Sequence, residues 1–381
     1  MVTLGELIAP AKVRRAGTDE YPLLSMTMHN GLVPQNAKFT KRVASTDTSG
    51  YKVVKRGQLV VGFPIDEGVL DFQTQHEEAI VSPAYGVWNL KNGPAVHIPY
   101  LKRFLRSNAA IAYYAAKLRG STARRRSLPA PIFLELQVPL PPLDEQRRIA
   151  AILDQAQNQL DNTRKAKSLL GALPRSIFQK MFSERTTNVV QLGELITDHQ
   201  LGLDKKSSEL GPDGAHPYLK MDSVTRTGDL DLTRATRADC SEDEARKFSL
   251  RDGDLIFNTR NARNLVGKST VYRGPFTLFN NNILRLRFGD KVHPDFVHQF
   301  LWSELGRQQL ESRKSGTTSV WAIYYKSLKT IEVPVPDFND QLLFTQQLTM
   351  IRERAHKHRQ RELAMEALVD SLQSRAFRGE L

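Results

Sequence analysis

One pattern constrains this chain more than any other: much of it is written twice. Leu4-Gly5-Glu6-Leu7-Ile8 returns as Leu192-Gly193-Glu194-Leu195-Ile196. Lys55-Arg56-Gly57-Gln58-Leu59-Val60 returns, with conservative changes, as Arg251-Asp252-Gly253-Asp254-Leu255-Ile256. His97, Phe104 and Gly120 reappear 196 positions later as His293, Phe300 and Gly316, and Pro139, Gln146 and Phe182 reappear 195 positions later as Pro334, Gln341 and Phe377. A register held that steadily marks a duplicated domain, and its period is far too long for a solenoid.

A length of 381 residues suits about two domains with connecting elements. With 40% hydrophobic and 25% charged residues the chain is globular rather than disordered. Its net charge of +13 favours a polyanionic partner, either nucleic acid or an anionic membrane. A membrane is the weaker choice, because no apolar run approaches the roughly 20 residues that span one. The start, Met1 to Glu6, lacks the basic and apolar segments of a signal peptide. Cys240, the single cysteine, sits in a polar stretch and has no internal disulfide partner. Together these features predict a cytoplasmic protein.

Each unit divides into a mixed part of about 140 residues and one long helix. Gln58 to Phe63 and Asp254 to Asn258 read as strands, and Tyr100 to Lys117 and Phe296 to Glu311 as helices. The Pro-rich Val138 to Leu143 leads into the first long helix, with Asp144 placed to cap it and Asn339 as the equivalent cap in the second unit. Ile149, Ala156, Thr163, Leu170 and Ile177 then fall seven apart, with Ile152/Leu153, Leu160, Ala166 and Leu173 in a second column. Phe344, Ile351, His358, Met365 and Leu372 form the matching column, beside Leu348, Ala355 and Leu368. This is heptad spacing. A helix of about 35 residues is about 50 Å long, and an apolar stripe of that length needs a partner. The expected fold class is therefore α+β. Two mixed α/β domains (1–138 and 187–333) are held by two long antiparallel helices (139–186 and 334–381) that form a coiled-coil-like rod. Pro174, soon after Gly171, is expected to break or kink the first helix.

Pro139-Leu-Pro-Pro-Leu-Asp-Glu-Gln-Arg-Arg-Ile149 resembles the start of the central conserved region in specificity subunits of type I restriction–modification enzymes. Ser371-Leu-Gln-Ser-Arg-Ala-Phe-Arg-Gly-Glu-Leu381 resembles their C-terminal region. Ser315-Gly-Thr-Thr-Ser319 and Asp252-Gly-Asp-Leu-Ile256 look like recurring pieces of their target-recognition domains. The resemblance runs through the chain in the family's order of domain, helix, domain, helix. Val333-Pro-Val-Pro-Asp-Phe338 and Pro174 depart from the commoner pattern. The resemblance implies that each globular domain reads one half of a bipartite, asymmetric site in double-stranded DNA. It further implies that the paired helices set the spacing and dock two modification subunits, N6-adenine methyltransferases that hold S-adenosylmethionine. Motor-nuclease restriction subunits join for cleavage. On this reading the chain itself has no catalytic residue, cofactor or metal.

Two stretches, Lys102 to Arg126 and Asn258 to Arg287, are rich in Lys and Arg and contain no acids. In a chain of net charge +13 such stretches point to DNA, although a solvated face has the same composition. The sharper candidates in unit one are Lys117, Arg119, Ser121, Thr122, Arg124, Arg125 and Arg126. Their counterparts in unit two are Arg313, Lys314, Ser315, Thr317, Thr318 and Ser319. Both segments follow a helix and carry a glycine that lets the backbone approach phosphate. Base reading needs Arg, Asn or Gln in a groove. Asn258, Arg260, Asn261, Arg263 and Asn264 have that chemistry, which equally suits a polar hairpin loop. The corresponding loop of unit one, from Gly62 to Glu67, is much less basic, so the two domains are expected to read different bases.

Ala262 to Ser269 formally satisfies a relaxed phosphate-loop pattern, but Arg263, Leu265 and Val266 are bulky and Thr270 to Tyr272 reads as a strand. His356 and His358 are two apart on a helix and do not share a face, so they are a poor metal pair. No Asn-Pro-Pro-Tyr or Asp-Pro-Pro-Tyr methyltransferase motif occurs. The competing reading is a stand-alone sequence-specific DNA-binding or scaffolding regulator. A nuclease with an unrecognised active site is a more distant one.

Overall fold

The computed structural model describes residues 1–28, 30–35, 47–118, 128–182, 188–316 and 319–381. The chain forms two compact units, one of residues 1–164 with 360–381 and the other of residues 165–359. Each long helix therefore gives one part to each unit, and the first unit is built from two separate stretches of chain.

In the first unit a four-stranded antiparallel sheet has the order Ile8–Pro10, Gly86–Leu90, Leu59–Val61, Leu70–Phe72. In the second unit the equivalent sheet has the order Ile196–Leu201, Ile283–Phe288, Leu255–Asn258, Ser269–Val271. Both orders are first, fourth, second and third along the chain, so the sequence duplication is a duplication of topology. The short entry helices match as well: Leu4 and Leu192 donate their amides to Leu136 and Ile331. Each places two buried leucines under the sheet.

After each sheet comes a helical pair. The two expected helices are each broken in two, into Ile98–Leu105 and Asn108–Lys117, and into Pro294–Trp302 and Glu304–Ser312. Ser107 and Ser303 cause the breaks. Each turns extended and caps the next helix through its hydroxyl, on Ala110 and Gly306 respectively. Leu101, Phe104, Tyr114 and Phe133 join the core of the first unit, and Phe296, Phe300, Leu301 and Leu310 that of the second.

The long helices span Leu143–Phe182 and Phe338–Arg378. Pro174 lies inside the first helix, which continues past it. Only one amide is lost there, and the exposed stretch of residues 171–173 leaves the released carbonyl open to water. Asp144 and Asn339 both fall inside the first turn rather than capping it, since each helix begins one residue earlier. The lead contact in each entry is instead a glutamine. Gln146 Oε1 accepts the amide of His97 at 2.8 Å, and Gln341 Oε1 accepts that of His293 at 2.8 Å.

In the first unit the two helical halves run antiparallel. Ile149 packs with Leu372 and Ala376, while Ala156 and Leu160 pack with Met365, Val369 and Leu372. Arg164 there reaches Glu366 at 2.7 Å and Glu362 at 3.4 Å. In the second unit Phe178 and Phe182 clasp Phe344 edge-on, and Ile177 packs on the same core. Leu170, Ile351 and His358 are half-buried. The second column of the seam differs from the expected one at two places. Leu368 is 44% exposed and its neighbour Val369 is buried, and Leu173 is 40% exposed. Spacing of four and three, running from Phe344 through Leu348 to Val369 and Ala376, places the apolar stripe one residue beyond Leu368.

Candidate nucleic-acid interface

The two candidate segments of the second domain meet in one small sheet. Arg260–Asn261 pairs antiparallel with Trp321–Ala322, and Trp321–Ala322 pairs with Ser315–Gly316. Gly316 is needed for this close pairing, since a Cβ there would stand 2.5 Å from the carbonyl oxygen of Val320. Arg260 lies over the ring of Tyr324 at 5.4 Å and Arg263 over that of Trp321 at 4.8 Å. Arg263 also meets Glu311 at 2.9 Å, and Lys314 Nζ donates to the Arg263 carbonyl at 2.7 Å while pairing with Glu311 at 2.6 Å. Flat aromatic supports restrict long, flexible arginines before any ligand arrives. Asn261 turns its side-chain oxygen onto the amide of Ala262. Arg260, Arg263, Asn264, Ser315 and Ser319 are exposed, and Asn261 and Lys314 are half-buried.

Two candidates are corrected. Asn258 is fully buried and donates Nδ2 to the Met221 carbonyl at 2.9 Å, so it holds the domain together and presents nothing to a groove. Arg313 is half-buried and its guanidinium is engaged by the protein itself, on Thr330 Oγ1 at 3.0 Å, the Thr330 carbonyl at 2.8 Å and the Gln309 carbonyl at 2.9 Å. It is a strut between helix and chain. In the first unit Lys117 is exposed at a helix end. Arg119, Ser121, Thr122, Arg124, Arg125, Arg126, Thr317 and Thr318 lie outside the described residues.

The basic stretches are also less free than their sequence implies. Lys102 pairs with Asp71 at 2.7 Å and Arg103 with Asp154 at 2.5 Å. Arg285 pairs with Asp198 and Arg287 with Asp254, both at 2.7 Å. Arg273 and Arg352 both reach the buried Asp295, at 2.8 and 2.6 Å. Their charges hold Asp295 below the ordinary carboxylate range against the opposing effect of burial.

Trp321 and Tyr324, which support the arginines, were not among the expected site residues. Their signal was two aromatics close after the sequence Ser-Gly-Thr-Thr-Ser in a basic context. The phosphate-loop pattern dissolves in the fold, since Lys268 turns inward to the carbonyls of Met221 and Val224 and Ser269–Val271 is a buried strand. Among the described residues no group of three or more His, Cys, Asp or Glu could hold a metal ion. No described helix is long and apolar enough to cross a membrane.

Comparison with known proteins agrees with this architecture. Residues 66–170 match the type I restriction modification DNA specificity domain. The type I restriction enzyme EcoKI specificity subunit of Escherichia coli K12 is 26% identical over 271 residues, which make up 65% of this chain and 58% of that protein. The MjaVIII specificity subunit of Methanocaldococcus jannaschii is 24% identical over 271 residues, 63% of this chain and 62% of that one. The match thus spans about three fifths of the length of these curated relatives. A chain from a structural study of complex assembly and conformational transition in the type I system shares the fold. Its TM-score is 0.59 at 17% identity, over 100% of this chain and 97% of that one. The type I S subunit from M. genitalium superimposes with a TM-score of 0.58 at 14% identity, over 98% of this chain and 95% of that one. By family model, by curated relatives and by fold, the chain matches the specificity subunits of type I restriction–modification enzymes.

Proposed function

We propose that this chain is the DNA-reading subunit of a type I restriction–modification complex. Residues 1–138 and 187–333 each read one half of a bipartite, asymmetric duplex site. Residues 139–186 and 334–381 form the helical spacer and dock two modification subunits, with motor-nuclease subunits joining for restriction. Methyl transfer to adenine N6 and the S-adenosylmethionine that supplies it belong to the modification subunits. This chain contributes position and sequence choice.

The observation that carries this reading is the duplication itself. Both units repeat the same sheet order and the same glutamine contact at the foot of the long helix. Repeated helical regions offer matching surfaces to two copies of one partner. The loops differ between the units: Arg260 to Asn264 is basic and amide-rich, whereas Gly62 to Glu67 is not. Unlike loops on a repeated frame suit an asymmetric target.

Methylome sequencing tests the proposal. Cells with this chain and its modification partner should carry N6-methyladenine at a split motif that disappears when only this chain is deleted. An unchanged set of methylated positions overturns it.

A further inference from the structure

Beside the Arg260 to Asn264 loop the second unit contains two adjoining cavities, of about 570 and 270 Å³. They share Arg226, Leu265 and Lys268 in their walls, so they form one cleft. One wall is the segment of residues 220–234, built from two short 3-10 turns, Met221–Ser223 and Leu232–Arg234. The other wall is the loop ending at Leu265, together with Trp302, Arg307 and Lys314.

The charge of the cleft is one-sided. Lys220, Arg226, Arg234, Lys268, Arg307 and Lys314 line it, and Asp222 is the one acid among its lining residues. Some of these cations are structural. Lys268 is buried and clamps the 220–234 segment through the carbonyls of Met221 and Val224, with Asn258 donating to the same Met221 oxygen. Arg307 stacks on Trp302 at 3.8 Å, and burial, with Arg175 adding like charge, brings it down to about 10. Arg234 is paired with Asp231 at 2.9 Å. Arg226 is exposed at the rim and Lys220 half-buried beside it. Both lie at the open side of a cleft whose floor is already positive. Lys314 is paired with Glu311 at 2.6 Å, so an anion entering there gains chiefly from Lys220, Arg226, Lys268 and Arg307.

The geometry points to this cleft as the seat of the DNA backbone next to the reading loop, with Lys220 and Arg226 as phosphate contacts and Lys268 and Asn258 as positioning residues. The inference rests on the DNA-reading function proposed above and adds where the strand lies. It divides the work of the second domain. The 220–234 wall fixes the register on phosphate without reading sequence, while Arg260 and Asn264 face the bases.

The test is binding of the full-length chain to a mixed-sequence duplex across a salt series. Wild type should lose affinity steeply as salt rises. Lys220→Ala with Arg226→Ala should weaken binding to unrelated sequences alike and flatten the salt slope by about one unit per contact removed. Arg226→Gln should give a smaller change in the same direction. Arg246→Ala, outside the cleft, should behave as wild type. Wild-type binding with an unchanged slope in both cleft variants overturns the cleft assignment and leaves DNA reading intact. No duplex binding by wild type, alone or with its modification partner, overturns both.

Discussion

The side-chain oxygen of Gln146 accepts the backbone amide of His97 at 2.8 Å. Its amide nitrogen donates to the carbonyls of Ala95 and Pro141, at 3.0 and 2.9 Å. Gln341 repeats every part of this, accepting from His293 and donating to Lys291 and Pro336. Both glutamines are buried. One side chain thus ties the foot of a long helix to the start of a globular helix and to the proline-rich entry. It orients the helix on its domain twice in one chain.

Replacing Gln146 by Ala should destabilise the protein by about 1–3 kcal/mol, because the His97 amide and two carbonyls lose their partner in a dry site. Gln146→Glu should also destabilise, since it keeps the acceptor but turns a carboxylate oxygen toward two carbonyls. Urea unfolding midpoints measure both. A midpoint unchanged in Gln146→Ala would show that water replaces the contact.

Asp295 is fully buried between Arg273 and Arg352 and joins the helix of residues 294–302 to the second long helix. Asp295→Ala leaves both cations without their shared partner, at a cost of about 3 kcal/mol. Chemical denaturation should register this loss. The first unit has Pro99 at the equivalent position and makes the analogous tie with Arg103 and Asp154, so Asp154→Ala, at a more exposed pair, should cost less.

His298 is buried, and desolvation lowers it to about 4, with Arg352 and Arg307 acting the same way against Asp295. Its folded value lies below its unfolded one, so the unfolded chain takes up the proton first as pH falls. Stability is complete above about 6.5 and declines through the window down to about 4. At pH 5 this one group should remove about 2 kcal/mol. Comparing denaturation at pH 7 and pH 5 in wild type and His298→Gln tests it, and an equal pH dependence in both would refute the assignment.

Val369 is buried in the helix seam of the first unit, whereas Leu368 is 44% exposed. Val369→Ala should cost on the order of 1–2 kcal/mol, and Leu368→Ala should be close to neutral. Thermal melting distinguishes them, and the reverse order would place the seam on the other face.

Arg260→Ala and Asn264→Ala should each relax recognition at one base position by about 1–3 kcal/mol. Methylome sequencing would show degeneracy in a single half-site. Degeneracy in both halves, or altered spacing, would contradict the division into two readers. Arg263→Ala should instead loosen the whole loop, because Arg263 ties it to Glu311 and Trp321.

Duplication, the strand at Leu255 to Asn258 and the two long helices were all legible in the sequence. Each is a matter of spacing along the chain, and spacing along a helix or strand decides which side chains share a face. Pro174 does not end the helix, because a single missing amide on an exposed turn is a smaller penalty than a helix break. Leu368 misled because apolar character alone does not separate it from Val369, and only the facing residues Ala156 and Leu160 choose between them.

The candidate interface was legible as composition and not as geometry. Asn258 and Asn264 are the same residue type six positions apart, yet one is buried on the Met221 carbonyl and the other exposed. Arg285 and Arg287 sit in a stretch without acids, yet both are paired with aspartates from elsewhere in the chain, Asp198 in one strand and Asp254 just before another. Sequence by itself determined the repeated framework, the helical stripes and the excess of positive charge, because these follow from order and composition. Tertiary structure alone decided which charges remain available, which amides face solvent, and that residues 220–234 close a basic cleft against the Arg260 loop. Ion pairing and burial depend on neighbours in space, and here those neighbours lie tens of residues away along the chain.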